Sequence, residues 1–224
     1  MNKELVDYIE KEIFPLYNKN EEGHGLKHIE TVIERSLKFA KDYDANIDMV
    51  YTIAAYHDLG HHIDRKRHEI ISAQIFIEDE NMKKWFSDEQ RKIIKDAIEA
   101  HRASSNHEPR TIYGKIVSTA DRTIVKIDNT IKRSYSYGKR NYQGITEEEQ
   151  IQKVYEHLKD KYGENGYAKV YLEDKEFDEA MKEFRKALKD KDTFIQRIRK
   201  VVKDMEWEEK KYEWIKRSKS RTNV

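Results

Sequence analysis

The sequence contains no cysteine, only two prolines and no apolar run long enough to cross a membrane. Without cysteine a chain can form no disulfide, no thiolate metal site and no cysteine nucleophile, so any metal must be held by nitrogen and oxygen atoms. A cysteine-free chain suits a reducing compartment, and the first ten residues alternate charge with apolar residues at helical spacing, unlike a signal peptide. We therefore expect a cytoplasmic protein without a membrane partner.

An excess of charge of one sign is also lacking, because 44 Lys and Arg nearly balance 43 Asp and Glu in the 224 residues. The near balance argues against bulk binding of nucleic acid. Charged residues still make up 39% of the chain, which is typical of solvated helix surfaces. Apolar residues recur at three- and four-residue intervals, with neither a convincing strand-like alternation nor an internal repeat. The fold class that we expect is all-α.

Local patterns predict where several helices begin and end. Helical periodicity predicts one helix over residues 47–62 and another over 111–129. Capping boxes, in which two residues three positions apart satisfy each other's backbone amides, begin at Ser87 and Thr146. The segment 134–144 contains three tyrosines and two glycines and is predicted to be a loop. Two amphipathic helices follow, and the last is expected to pack on the core or to form a homodimer contact: 175–188 and 192–216.

The most informative stretch places His57 and Asp58 side by side in an apolar helical run that includes Ile53, Ala54 and Ala55. An imidazole and a carboxylate are costly to bury, so the pair needs a partner. One explanation is a core histidine that is hydrogen-bonded to a core aspartate. The other is a metal site, in which neighbouring ligands on one helix turn reach the same cation.

The other histidines favour the metal site. Eight of the nine lie between His24 and His107. Asp121 stands on an inward face after three small residues, where an unpaired carboxylate would be costly and a divalent cation would offset that cost. Four histidines look buried and belong to four different predicted helices: His28, His57, His68 and His101. Four such residues in one half of the chain make coincidence a poor explanation.

These residues resemble the HD-domain metal-dependent phosphohydrolases, whose pattern is an early His, an adjacent His-Asp pair and a distant Asp on a later helix. The matching residues here are His28, His57, Asp58 and Asp121. The flanking sequence is similar in style, and the resemblance covers about residues 24 to 130. Two further matches, His68 and His101, look like the extra histidines of dinuclear members, which include diadenosine tetraphosphate hydrolases and cyclic dinucleotide phosphodiesterases.

The resemblance implies an HD-domain helical bundle with a metal-binding core over residues 1–133. A helical extension over 134–224 would pack on this core, or the two would form one continuous domain. It also implies two metal ions that share Asp58. The first is held by His28, His57, Asp58 and Asp121, and the second by Asp58, His68, His101 and one of His61 and His62. Nitrogen and oxygen ligands suit Fe, Mn, Co, Ni or Zn, of which we favour Fe or Mn. The tandem His61-His62 departs from the dinuclear cyclic dinucleotide enzymes, whose tandem comes later in the motif.

The expected reaction is the hydrolysis of a phosphomonoester, phosphodiester or phosphoanhydride, of a nucleotide, by metal-activated water. Residues expected to act in catalysis are Asp58, His61, Asp64 and Arg122, with His61 or Asp64 protonating the leaving group. Cations expected to bind the phosphorylated substrate are Lys27, Arg65, Arg102 and Lys126, although each of them also fits a solvated surface. Two alternatives stay open. A diiron oxygenase would use the same ligands, and a non-catalytic regulatory or interaction module would use the helical second half.

Overall fold

The computed structural model describes residues 1–20, 22–104, 108–122 and 126–221, with only the backbone described for residues 22 and 213–221. Within these ranges the chain is helical and has no strand, which confirms the all-α prediction. None of the helices in the described ranges is long and apolar enough to cross a lipid bilayer. The α-helices are α1 (Lys3–Tyr8), α2 (Leu26–Asp42), α3 (Ile47–Tyr56), α4 (His68–Glu78), α5 (Asp88–Glu99), α6 (Ile112–Asp121), α7 (Ile127–Asn141), α8 (Glu147–Tyr162), α9 (Lys175–Leu188) and α10 (Lys191–Arg221).

The helix predicted over residues 47–62 is wrong at its C-terminal end. α3 stops at Tyr56, and a short 3₁₀ helix, Leu59–His62, follows it. The cause is tertiary, because Gly60 packs directly on the start of α4. A Cβ at residue 60 would lie 2.7 Å from the carbonyl oxygen of His68, and the Gly60 amide donates to Ser72 Oγ at 2.9 Å. The chain leaves helical geometry at the His-Asp pair to make this contact.

The predictions for residues 111–144 also need correction. α6 ends at Asp121, and α7 covers most of the segment that was predicted to be a loop. Its residues Ile127, Ile131 and Tyr135 are buried at four-residue spacing, so the tyrosines form part of a helix. Gly138 faces α8, where a Cβ would meet the Gln150 side chain at 3.0 Å. The glycine therefore permits close helix packing instead of marking a loop.

The chain divides into two compact units, of which the first comprises Met1–Thr123 and Ala168–Asp174 and the second Ile124–Tyr167 and Lys175–Val224. In the first unit α3 packs against α2, α5 and α6, and α4 packs against α5. Fully buried core side chains of this unit include Leu5, Ile9, Ile29, Ile53, Phe76 and Ile94. The division at residue 133 that the sequence suggested stays a prediction.

In the second unit α7, α8 and α10 pack on one another, and Tyr155, Phe184 and Phe194 lie in the interior. The capping boxes predicted from the sequence are both present, one at Ser87 in the first unit and one at Thr146 in the second. Helix ends with such caps depend only on local residues, which is why the sequence identified them.

Candidate metal centre

The ends of several helices bring the predicted ligands into one cluster in the first unit. His28 lies in the first turn of α2, His57 and Asp58 follow α3, and His68 opens α4. The remaining two ligands lie at the C-terminal ends of α5 and α6: His101 and Asp121. His57, Asp58 and His101 are each at most 2% exposed, so the centre of this cluster is shielded from water.

One oxygen of the Asp58 carboxylate faces two histidines. Asp58 Oδ1 lies 3.4 Å from His68 Nε2 and 3.5 Å from His101 Nε2. The two histidine Nε2 atoms are themselves only 3.1 Å apart. These three atoms therefore converge on one point from α4, from the end of α5 and from the turn after α3.

The other oxygen faces a second group. Asp58 Oδ2 lies 2.7 Å from His24 Nδ1 and 3.7 Å from the Nε2 atoms of both His28 and His57. Asp121 Oδ1 completes this side, at 3.1 Å from His28 Nε2 and 3.7 Å from His57 Nε2. The carboxylate of Asp58 thus separates two sets of histidines.

Backbone carbonyls orient three of the rings. The Nδ1 atoms of His57, His68 and His101 each lie within hydrogen-bond distance of the carbonyl three residues earlier, at 2.8, 2.9 and 2.6 Å. A ring that donates Nδ1–H to a carbonyl presents a lone pair on Nε2, the arrangement that metal-ligating histidines use. The Nε2 lone pairs of His68 and His101 then face each other, and a cation between them would remove the repulsion.

Burial and charge act in opposite directions on the cluster. Burial lowers the pKa of His57, but the Asp58 and Asp121 carboxylates outweigh it and raise that pKa to about 9. Burial raises the pKa of Asp58, but the adjacent His57, with His101 and His24, holds it well below the usual range. The pKa of Asp121 is also held low, by His28 and His57. Both carboxylates are therefore anionic at neutral pH and available to a cation.

The donors fit a divalent metal. Among the described residues, three groups of side chains have ligand atoms within 4.8 Å of one another: His24, His28 and Asp58; His28, His57 and Asp121; and His57, Asp58 and His101. The Nε2 atoms of His28 and His57 are buried and face Asp121 Oδ1 at 3.1 and 3.7 Å, so a cation could share this carboxylate with both rings.

Comparison with known proteins agrees with this geometry. The family model described as the HD domain matches residues 25–125. The matched segment contains all six predicted metal ligands. A search of the curated proteins finds no match.

Two solved structures are similar to the chain. One is a predicted HD superfamily hydrolase from an uncultured Thermotogales bacterium, 20% identical over 70% of this chain and 93% of that chain, with a TM-score of 0.45. The other is a structural genomics target from Lactobacillus plantarum, 14% identical over 91% of this chain and 99% of that chain, with a TM-score of 0.58. The second likeness shows a shared fold.

One residue of the cluster, His24, is not among the ligands predicted from the sequence. Its Nδ1 makes the shortest contact to Asp58 that the cluster contains, and its ring stacks on His61 with centroids 3.8 Å apart. The sequence gives no clear signal for it, because Gly25 is the extended N-cap of α2 and His24 lies in the 3₁₀ turn before it, so the two histidines do not share one helix.

Of the three candidates that follow the His-Asp pair, only His61 contacts the cluster, whereas His62 and Asp64 make other contacts. His61 is buried, and burial together with the charge of His24 lowers its pKa to about 3, so its ring is neutral at neutral pH. His62 is exposed, as its position at a helix end suggested, and its ring contacts the Asn20 side chain and none of the predicted ligand atoms. Asp64 accepts from the Lys66 amide at 2.9 Å and caps a turn. The expectation that Asp64 faces the site assumed a continuous helix, which ends at Tyr56.

The predicted phosphate-binding cations differ in their surroundings. Arg122 is 8% exposed and follows Asp121 directly. The Arg102 guanidinium lies 3.2 Å from both carboxylate oxygens of Glu69 and also donates to the Lys66 carbonyl, so it connects the chain beyond α5 to α4.

Three other predicted cations are exposed, Arg65 next to His61 in the first unit, Lys27 on α2, and Lys126 in the second unit. Arg122 is therefore the cation that the structure buries beside a predicted ligand.

Proposed function

We propose that the protein is a metal-dependent phosphohydrolase with two divalent cations, which cleaves a phosphate ester or anhydride of a nucleotide. The observation that carries this proposal is the position of the Asp58 carboxylate, whose two oxygens face two different sets of histidines. A carboxylate that bridges two cations needs this arrangement. A carboxylate that was buried only for packing would need a single histidine as its partner. Five histidines surround the Asp58 carboxylate.

The ligands divide naturally about this carboxylate. His28, His57, Asp58 Oδ2 and Asp121 would hold one cation, and His68, His101 and Asp58 Oδ1 the other. Such cations, when bound, supply Lewis acidity, which lowers the pKa of a water and polarises a phosphoryl oxygen. Nitrogen and oxygen donors of this kind suit Fe, Mn, Co, Ni and Zn, and Fe or Mn remain our preference.

The chain's own residues would bind the phosphate and manage protons. Arg122 is the buried cation beside Asp121, and its guanidinium matches the oxygen geometry of a phosphoryl group. Lys27 and Arg65 are exposed and suit the outer part of a phosphorylated substrate. Because the pKa of His61 is lowered to about 3, its ring is neutral at neutral pH and holds an added proton only weakly, so His61 is a weak candidate for the leaving-group acid.

A nucleotide is the substrate class that we favour, because the dinuclear enzymes that this sequence resembles act on dinucleotides. The same resemblance extends to diiron oxygenases, which use these ligands to activate dioxygen. The phosphohydrolase is favoured by one specific feature of this structure. A buried guanidinium beside the ligands matches an anionic substrate, which an uncharged polyol would not require.

The test is metal analysis of tag-free protein combined with a panel of phosphomonoesters, diesters and anhydrides. The wild type should contain up to two transition-metal ions per chain and release phosphate or a nucleotide. Asp58→Ala should lose metal and at least 100-fold in activity, because it removes the shared ligand. His62→Ala is the matched control, since His62 is exposed, and it should behave as the wild type.

Two results would contradict the proposal. A wild type that binds no metal and hydrolyses no member of the panel would leave the cluster without the proposed role. A metal-loaded wild type that consumes oxygen with a polyol but releases no phosphate would transfer the site to the oxygenase class.

A further inference from the structure

A short segment from between α8 and α9 belongs to the unit that carries the metal centre. We name this segment, Ala168–Asp174, the strap. Ala168 and Leu172 are buried, and Leu172 joins the hydrophobic core of the first unit. The strap ends at Asp174, which is 8% exposed and forms an ion pair with Arg35 on α2. It is thus fixed by an apolar anchor and by a buried ion pair.

Between these anchors the strap contacts α6 close to the metal centre. The backbone amide of Tyr171 donates to Thr119 Oγ1 at 3.1 Å, and Thr119 is fully buried two residues before Asp121. The guanidinium of Arg122, the residue after Asp121, lies over the Tyr171 ring at 5.2 Å from the centroid. Tyr171 therefore touches α6 on both sides of a predicted metal ligand.

Arg122 has an unsatisfied donor. Its Nη1 donates to the Ser118 carbonyl at 2.6 Å, but its Nε is buried and has no hydrogen-bond acceptor in the part of the chain that the structure describes. A buried donor without an acceptor costs about 1 to 3 kcal/mol, more when it is charged. A guanidinium that is held in place and has a donor without an acceptor matches an oxyanion such as a phosphoryl group.

We propose that Tyr171 is a positioning residue whose ring holds the Arg122 guanidinium so that Nε meets a phosphoryl oxygen of the substrate. This inference rests on the proposed function. It assigns to the strap a part in substrate binding, although the strap lies about 50 residues beyond Asp121 in sequence. The contact involves the face of the ring, so the hydroxyl group is dispensable for it.

The experiment measures the binding of inorganic phosphate to metal-loaded full-length protein by calorimetry, together with KM and kcat for a chromogenic phosphate ester. Tyr171→Leu keeps an apolar side chain but removes the ring, and it should weaken phosphate binding and raise KM by about tenfold. Tyr171→Phe should restore both values. Lys169→Ala, at an exposed strap residue, is the matched control and should match the wild type. Metal content should stay constant throughout.

A double-mutant cycle separates positioning from simple packing. Arg122→Gln should weaken phosphate binding, and adding Tyr171→Leu to it should have no further effect, because the ring acts through the guanidinium. Fully additive losses, or phosphate binding by Tyr171→Leu equal to that of the wild type, would overturn the inference. Should Tyr171→Leu not fold, Arg122→Lys provides the test, since it keeps the charge but lacks Nε. It should bind phosphate about tenfold more weakly, and wild-type binding would refute the inference.

The failure of the proposed function would look different. In that case the wild type itself would bind no phosphate and would hydrolyse no ester, whatever residue occupies position 171, and the inference would go with it. A wild type that binds phosphate and hydrolyses the ester, with a Tyr171→Leu variant of equal affinity, would sink the inference alone.

Discussion

Metal uptake should depend steeply on pH, because His57 must lose a proton before it can bind a cation. The Asp58 and Asp121 carboxylates overcome the effect of burial and raise the pKa of His57 to about 9 in the metal-free protein. At pH 7 the ring is therefore about two pH units below its pKa and is protonated. Displacing that proton weakens the apparent metal affinity by about 100-fold, or about 2.7 kcal/mol. The affinity should rise about tenfold per pH unit and level off near pH 9.

Titration of metal-free protein with Mn²⁺ in buffers of different ionisation enthalpy measures this proton release. About one proton should be released for the ion that His57 binds at pH 7, and fewer as the pH approaches 9. His62→Ala should release the same number, since His62 is exposed and contacts Asn20. An affinity that does not change between pH 6.5 and 9, without proton release, would refute the assignment of His57 as a protonated ring from which the metal displaces a proton.

The same shift predicts the pH dependence of stability in the metal-free protein. The pKa of His57 is higher in the folded chain than its usual value of 6.5, so its contribution is fully present below pH 6.5 and is lost as the pH rises through 9. The difference corresponds to about 3 kcal/mol. Urea unfolding of metal-free protein should show this loss between pH 6.5 and 9. Stability that stays constant over that range would show that the carboxylates do not hold a proton on the ring.

Three substitutions test the structure around the centre. Gly60→Ala would place a Cβ 2.7 Å from the His68 carbonyl oxygen, so urea unfolding should show a loss of about 1 to 3 kcal/mol, and wild-type stability would contradict the packing described here. Arg102→Gln removes the contact with both Glu69 oxygens, which joins the residues that follow the predicted ligands His101 and His68. Mn²⁺ titration should therefore show weaker binding of the ion held by these two histidines while the other ion is retained. Unchanged binding of both ions would show that Arg102 does not position these ligands. Thr146→Ala removes the capping box of α8 and should cost about 1 kcal/mol in urea unfolding with the metal content unchanged, and a loss of metal would refute a purely local role.

The ligands could be proposed from the sequence because burying imidazole and carboxylate is costly wherever they stand. His57 and Asp58 in an apolar run demand a partner before any fold is known. His24 carried a weaker signal, because its contact with Asp58 depends on how the folded chain orients the ring. The break after Tyr56 carried none, because it follows from the contact of Gly60 with α4, which only the folded chain contains.

The segment 134–144 shows the limit of turn chemistry as evidence. Glycine is frequent in turns and loops, and the two glycines among the tyrosines favour a loop, yet α7 runs to Asn141. Helix formation there is favoured by the burial of Ile131 and Tyr135, and Gly138 serves the approach of α8. Packing decided the structure against local preference, as tertiary contacts often do.

The strap is a second feature that depends on tertiary contacts and could not be predicted from the local sequence. Nothing in the local sequence of Ala168–Asp174 resembles a ligand motif, and its neighbours in sequence belong to the second unit. Its importance comes from three contacts with the first unit, made by Leu172 in the core, by Asp174 with Arg35, and by Tyr171 with α6. A division of the chain at residue 133 would remove all three from the unit that holds the ligands. The predicted ligands can therefore be recognised from local motifs, whereas the contact between Tyr171 and Arg122 depends on a segment that only the folded chain brings to α6.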